Sequence, residues 1–482
     1  MLKNQKGFAL TTVMIFLVIF VTITAIAFNI SMQNIKTTNR TINNEDALYY
    51  AEAGFNRYLF FLNEDHQFYK SDQSDDIVNS ESISFKDGFY SLEVSPPEEN
   101  SPYVTVESTG WVANNKNQSR TIRVRVRKRQ FTNFAYGTNS ERSEAGTEIW
   151  WATGDVVNGP LHTNGQLRIQ GDPVFKGPVT YAGAAPEISP SWSNPDYQAG
   201  EPAEVSALVF PQNNGELKTL AESPDGYYYE GRTAILIDGD ELRIRNKAGN
   251  VVVRDIPANG VIYVDGGDFG KFDMNSGNVF ISGELDGRLT IASKNDIYIT
   301  GYDPTEWDTD PLNFEDESDY EHYTGGIRYS DSSIDSNNDN MLGLIAQNDI
   351  SILHYGWPRA SGSWSDYEWD FVWRQNWLGN WYRDWYRDYR DVALEDIDIY
   401  GAIFTLDGSF GFEDYNSGSP KDYINLTGSL MQNYRGPVGL VGGSSGYLKN
   451  YVHDYRMAYD TPPHFLEPEN SGWEIIGWKE IY

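Results

Sequence analysis

At 482 residues the chain is long enough for two or three domains, and with 40% hydrophobic and 14% aromatic residues it has ample material for a core. The absence of cysteine excludes a disulfide framework, thiolate catalysis and cysteine-ligated metal. A formal charge of −32, from 69 acidic against 37 basic residues, disfavours nucleic acid as a partner and fits solubility in a saline, exposed setting.

The first element is an apolar run over residues 8–28, with no charge and no proline. As a helix it would span roughly 30 Å, the thickness of a bilayer core. Lys3 and Lys6 precede it, so the positive-inside rule places the short N-terminus in the cytoplasm and the rest of the chain outside. An ordinary secretory signal would have a shorter apolar core followed by a small-x-small cleavage site. Here the small residue comes first, in Lys6-Gly7-Phe8.

A short basic leader ending in Gly7, then Phe8, then an apolar helix resembles the class III leader of type IV pilins. The resemblance implies cleavage between Gly7 and Phe8 by a prepilin peptidase, with methylation of the new Phe8 amine. Most major pilins carry glutamate at the fifth mature position, where it pairs with a neighbour's terminal amine; this chain has Thr12. With Ala51-Glu52-Ala53-Gly54 further along, the chain resembles minor pilins of the PilX/K type, some of which sit at the fibre tip. The resemblance covers about the first sixty residues.

Beyond residue 28 the helical pattern continues. Leu48, Ala51, Phe55, Tyr58, Leu59 and Leu62 recur at three- and four-residue steps, so one helix is expected over 8–62, transmembrane in its first half. Residues 64–80 read as a polar loop. Strands follow near residues 89–94, 103–106 and 121–127, the last with Ile122, Val124 and Val126 on one face and Arg123, Arg125 and Arg127 on the other. These define a small pilin-like antiparallel domain over 63–130. The arginine row is expected to face the chain's own acidic groups rather than DNA.

From residue 131 the style changes to short strands separated by Gly, Asn and Asp. The phrase at 291–299, with Asn295-Asp296-Ile297 inside it, returns at 345–352 with Asn348-Asp349-Ile350, and more loosely at 396–403. Turn residues before a short β-branched strand, repeated, predict stacked rungs. The expected fold is mainly β with one long N-terminal helix, the body at 131–482 being a right-handed parallel β-solenoid-like domain. An irregular β-sandwich is the alternative. The copies lie too far apart for single rungs, so about two rungs plus an insertion are expected between them. Insertions are placed at 302–340 and 355–391.

The second insertion carries Trp369, Trp373, Trp377, Trp381 and Trp385 at four-residue steps, interleaved with arginines and aspartates. Stacked indoles suit sugar rings or another subunit, which makes this row the candidate binding surface outside the N-terminus. Asp335, Asn337 and Asp339 alternate as calcium donors do. They are not an EF-hand, because Asn340 replaces the loop glycine and Ala346 occupies the twelfth position. No cofactor is otherwise expected. Residues 442–446 match G-x-S-x-G, but no doubly wound α/β pattern surrounds them. No catalytic set is identifiable, and the chain is not expected to be an enzyme.

The sequence therefore predicts a structural and adhesive minor pilin-like subunit, with a tip position open to it. Its expected partners are other pilin-like subunits, the prepilin peptidase, the inner or cytoplasmic membrane and an extracellular glycan or surface. A membrane-anchored solenoid enzyme or binding protein acting on polysaccharide is the rival.

Overall fold

The computed structural model describes residues 8–65, 67–97, 103–113, 115–247, 249–305, 324–335, 337–354, 367–375, 381–389, 392–440 and 444–481. The chain divides into two compact units. Among the described residues the smaller comprises those from 8 to 97, 103 to 128 and 472 to 481, and the larger those from 129 to 471.

The smaller unit is built on a single helix, α1 (Phe8–Glu64). At the standard rise its 57 residues extend about 85 Å. Its C-terminal half buries Ala47, Tyr50, Ala51, Phe55, Tyr58 and Leu62 against an antiparallel sheet. That sheet runs β1 (Ile83–Phe85), β2 (Gly88–Ser95), β3 (Val104–Val112), β4 (Arg120–Lys128) and then the C-terminal strand Trp473–Ile481. Strict alternation puts Val104, Val106, Ile122, Val124 and Val126 under the helix. The helix lies directly on β3, because Gly110 has no side chain: a Cβ there would come 2.3 Å from Ala47 O and Ala51 N.

Two expectations need correction in this unit. Residues 64–80 are not simply a loop: they include α2 (Asp72–Val78), whose Ser71 cap accepts the Ser74 N–H. The buried Ser74 hydroxyl lies 2.8 Å from that of Tyr58 on α1, which ties the short helix down. The second correction concerns the end of the chain, assigned from sequence to the larger domain. Trp473–Ile481 instead pairs antiparallel with β4 as the fifth strand of the small sheet. The Arg120–Glu480 and Arg127–Glu474 ion pairs and the Trp473 Nε1–H bond to Leu62 O hold it there. The larger unit is thus an insertion between the last two strands of the smaller one.

The larger unit is a stack of parallel strands. One inward ladder can be followed through successive pairings: Ile262, Ile291, Leu344, Ile403, Leu430, Tyr136, Leu161 and Val179. All are buried in one core. The alternate residues Tyr263, Ala292, Ile345, Phe404 and Met431 face outward, where Phe131, Leu208, Leu217, Met457 and Phe465 cover them in a second cluster. Each large aliphatic residue so buried contributes about 1.5–3 kcal/mol.

The order of that ladder is not the order of the chain. The first strand in sequence, Tyr136–Ser140, lies inside the stack, between Pro420–Tyr434 and Leu161–Thr163. The chain stacks outward from it as far as Ala203–Glu204. It re-enters at Tyr227–Glu230 and returns rung by rung until Gly446–His453 pairs with Val156–Asn158. The two copies of the repeated phrase are adjacent rungs, Arg288–Ser293 pairing directly with Met341–Ala346. One rung plus an insertion, rather than two rungs, separates them.

The repeated Asn-Asp phrase is an inter-rung clamp. Asn278 Oδ1 accepts the Asp296 N–H, Asp296 Oδ1 accepts the Asp349 N–H, and Asp349 Oδ1 accepts the Ser409 N–H. Each turn side chain thereby satisfies the backbone of the next turn. The consequence is a partly desolvated carboxylate: burial pushes the Asp296 pKa up to about 6, and the Asp349 charge stacked on it adds to the rise. A raised carboxylate pKa makes the folded state bind more protons than the unfolded chain between the ordinary aspartate value of 3.8 and about 6, so its contribution to stability falls as pH rises through that window. Asp296→Asn keeps the Oδ1 acceptor and removes the charge. It is expected to flatten this pH dependence and to raise stability at pH 7 by at most about 3 kcal/mol, less the bond that Oδ2 accepts from the Tyr298 hydroxyl, measured by denaturant titration at several pH values.

Candidate functional site

In the smaller unit the apolar half of α1 has no protein cover. None of its most apolar window is buried, and Leu10, Phe16 and Phe20 are 70%, 66% and 72% exposed. Side chains of this kind cost about 1.5–3 kcal/mol each when left in water instead of apolar surroundings, so the segment demands lipid or another chain. Its polar groups suit such a setting. Thr22 and Thr24 donate their hydroxyls to the Val18 and Phe20 carbonyls one turn back, leaving no hydroxyl donor unmet in either. Thr12 lies in the first turns of the same helix, and Phe8 is its first residue. Gly7 falls outside the described residues.

An apolar stripe continues from this segment onto the sheet-packed half. Ile35, Ile42, Tyr49 and Phe60 are 51%, 48%, 45% and 59% exposed. Their spacing of seven, seven and eleven keeps them on one side of the helix, opposite the buried Ala47, Ala51 and Tyr58. The sequence pattern of the buried face drew attention away from this second stripe, although its seven-residue step was there to be read. Lys86 donates to the Tyr49 hydroxyl at 2.8 Å, so the tyrosine is held in place within the stripe. The helix thus carries exposed apolar residues on one side from the membrane-length segment to its last turns, with Asn39, Asp46 and Asn56 between them.

The arginine row of β4 is answered from neighbouring strands. Arg123 pairs with Glu107, Arg127 with Glu474, and the Arg125 guanidinium lies 5.0 Å from the Tyr103 ring centroid. Two of its three cations are therefore paired with carboxylates of the same sheet.

The tryptophan row falls on strands rather than on a helix. Tyr367–Gln375 and Trp381–Tyr389 form an antiparallel pair, while Trp377 lies outside the described residues. Register sets Trp369 opposite Arg387, Phe371 opposite Trp385, Trp373 opposite Arg383 and Gln375 opposite Trp381. Residues directly opposite share a face, and a step of four returns to the same face of a strand. Trp369, Trp373, Trp381 and Trp385 therefore sit on one face together with two arginines. Of the insertion at 302–340, residues 306–323 are outside the described ones, as are 355–366, 376–380 and 390–391 of the other.

The three candidate calcium donors have separate engagements. Asp335 Oδ1 accepts the Asn337 N–H, whereas Asp339 pairs with Arg288 at 3.2 Å. Among the described residues no group of three or more His, Asp or Glu side chains could hold a metal ion. Within the G-x-S-x-G match the motif serine is Ser444; the hydroxyl of its neighbour Ser445 lies within hydrogen-bond distance of the Tyr415 and Ser417 carbonyls.

Residues 101–184 match a family model described as a domain of unknown function, DUF4900. No curated protein matches the chain. A solved structure, the competence-associated pilin ComZ from Thermus thermophilus, aligns with a TM-score of 0.29 at 10% identity, covering 91% of this chain and 97% of that one. Similarity at that level does not establish a common fold.

A single tryptophan face is tested best by combined substitution. Trp369→Ala with Trp373→Ala is expected to abolish retention on an insoluble polysaccharide such as cellulose or chitin. Thermal unfolding of the double variant, compared with the unaltered chain, separates lost binding from lost folding. Unchanged retention would remove the face from consideration as a sugar platform.

Proposed function

We propose that the chain is a pilin-like subunit, anchored by α1 in the membrane before assembly and packed through α1 against like subunits afterwards. The observation that carries this reading is one uninterrupted helix, apolar and uncovered in its first half and docked on its own sheet in its second, preceded by Lys3, Lys6 and Gly7. Burying the uncovered half among neighbouring helices supplies the assembly energy, by the same apolar transfer that holds it in lipid. Thr12 in place of the family's glutamate withholds one charge pair from that packing, in keeping with a minor subunit. The N-terminus faces the cytoplasm, and the larger unit is displayed outside the cell. There the tryptophan face of the hairpin gives it an adhesive surface, with a glycan as the ligand class that planar indoles recognise.

Processing tests the reading directly. Protein extracted from membranes of a host with a prepilin peptidase is expected to begin at Phe8, with a methylated amine, by N-terminal sequencing and mass spectrometry. A chain that still begins at Met1, or that begins after residue 28, would overturn it.

A further inference from the structure

The seam of the larger unit, where the last rung meets the first, contains a buried charge cluster. Strand Gly446–His453 pairs with Val156–Asn158, Asn450 opposite Val156. The preceding residues meet side chain to side chain: Lys449 Nζ lies 2.9 Å from Asp155 Oδ1 and 3.0 Å from Oδ2. The two side chains are 15% and 6% exposed. Beside them Arg435 pairs with Glu141 at 2.9 Å, both essentially fully buried, and the Trp151 ring lies beneath the two cations, 4.3 Å from the Arg435 guanidinium and 5.4 Å from Lys449 Nζ.

We propose that Lys449 and Asp155 condense into a side-chain amide, an isopeptide bond that closes the seam covalently. Equal approach to both carboxylate oxygens puts Nζ about 3 Å from Cγ, within the range of a near-attack pair. Burial holds the Lys449 amine below the usual lysine range, and the Arg435 charge presses it further that way against the pull of Asp155. A proton passing from Nζ to the Asp155 carboxylate leaves a neutral, nucleophilic amine facing the carboxyl carbon. The Nζ lone pair then adds to Cγ, the Cγ–Oδ1 bond breaks, and Oδ1 leaves as water with the acid proton and one amine proton. Oδ2 remains as the amide oxygen and keeps the Ala152 N–H bond it already accepts at 3.0 Å. No oxidant or cofactor enters the balance. The other ion pair of the cluster is barred from the same reaction, since the Arg435 guanidinium stays protonated and non-nucleophilic. Glu141, the second carboxylate of the cluster, is held by Arg435 at 2.9 Å and is not within the reacting pair.

Tryptic peptide mapping of the full-length chain, purified in detergent, tests the bond without a variant. Trypsin cannot cut after an amidated lysine. The expected product is a branched species joining peptides 143–168 and 436–456, lighter than their sum by one water. The Lys449→Arg and Asp155→Ala chains should not yield it. Recovery of the linear peptides 436–449 and 450–456 from the unaltered chain, with no branched species, would overturn the proposal.

Discussion

A parallel strand exposes unpaired N–H and C=O groups along both edges, and the larger unit is shaped by the need to close them. The chain places its first strand inside the stack and not at an end, so Tyr136–Ser140 gains neighbours on both sides only after residues 420–434 have arrived. Until that happens the rungs built first keep an open edge. The stack thus acquires its hydrogen bonding and its apolar core together, over a very long sequence separation, which favours a slow but cooperative assembly.

Turn chemistry and core chemistry then specify the same register. Inward residues from Ile262 to Val179 form one ladder, and the turn side chains Asn278, Asp296 and Asp349 each reach the backbone of the following rung. A slip by one residue would break both at once. At one corner Gly401 and Gly428 stack, and a Cβ on Gly428 would collide with the Gly401 carbonyl. That corner is fixed by the absence of side chains, as the neighbouring turns are by their presence.

What could be read from residues alone follows from how local each signal is. α1 was legible because its apolar run and its three-and-four spacing are written in consecutive residues, and the real helix ends only two residues beyond the expected Leu62. The Asn-Asp phrase announced rungs because the clamp repeats with each turn. Rung order was not legible, since the edges of short parallel strands resemble one another and nothing in Tyr136–Ser140 names its partner. The tryptophan spacing of four was ambiguous, being close to a helical turn and also a multiple of the strand period. The C-terminal strand escaped notice because a bulge between Ile475 and Gly477 interrupts its alternation. The calcium pattern at Asp335, Asn337 and Asp339 could be read as donors, but not the Asx turn and the Arg288 contact that occupy two of them.

The return of the last strand has a mechanical consequence. Both connections to the larger unit leave the small sheet at the same end, because Lys128 and Trp473 are partners across adjacent strands. A pull on the larger unit enters β4 and the C-terminal strand together, along their axes, and must slide both past β3 and α1. Hydrogen bonds and buried valines along the whole length of β4 then bear the load in shear, simultaneously, instead of opening one after another from an edge. A single cut in either connection would leave the other strand to carry the tension, so the insertion gives the larger unit a redundant tether.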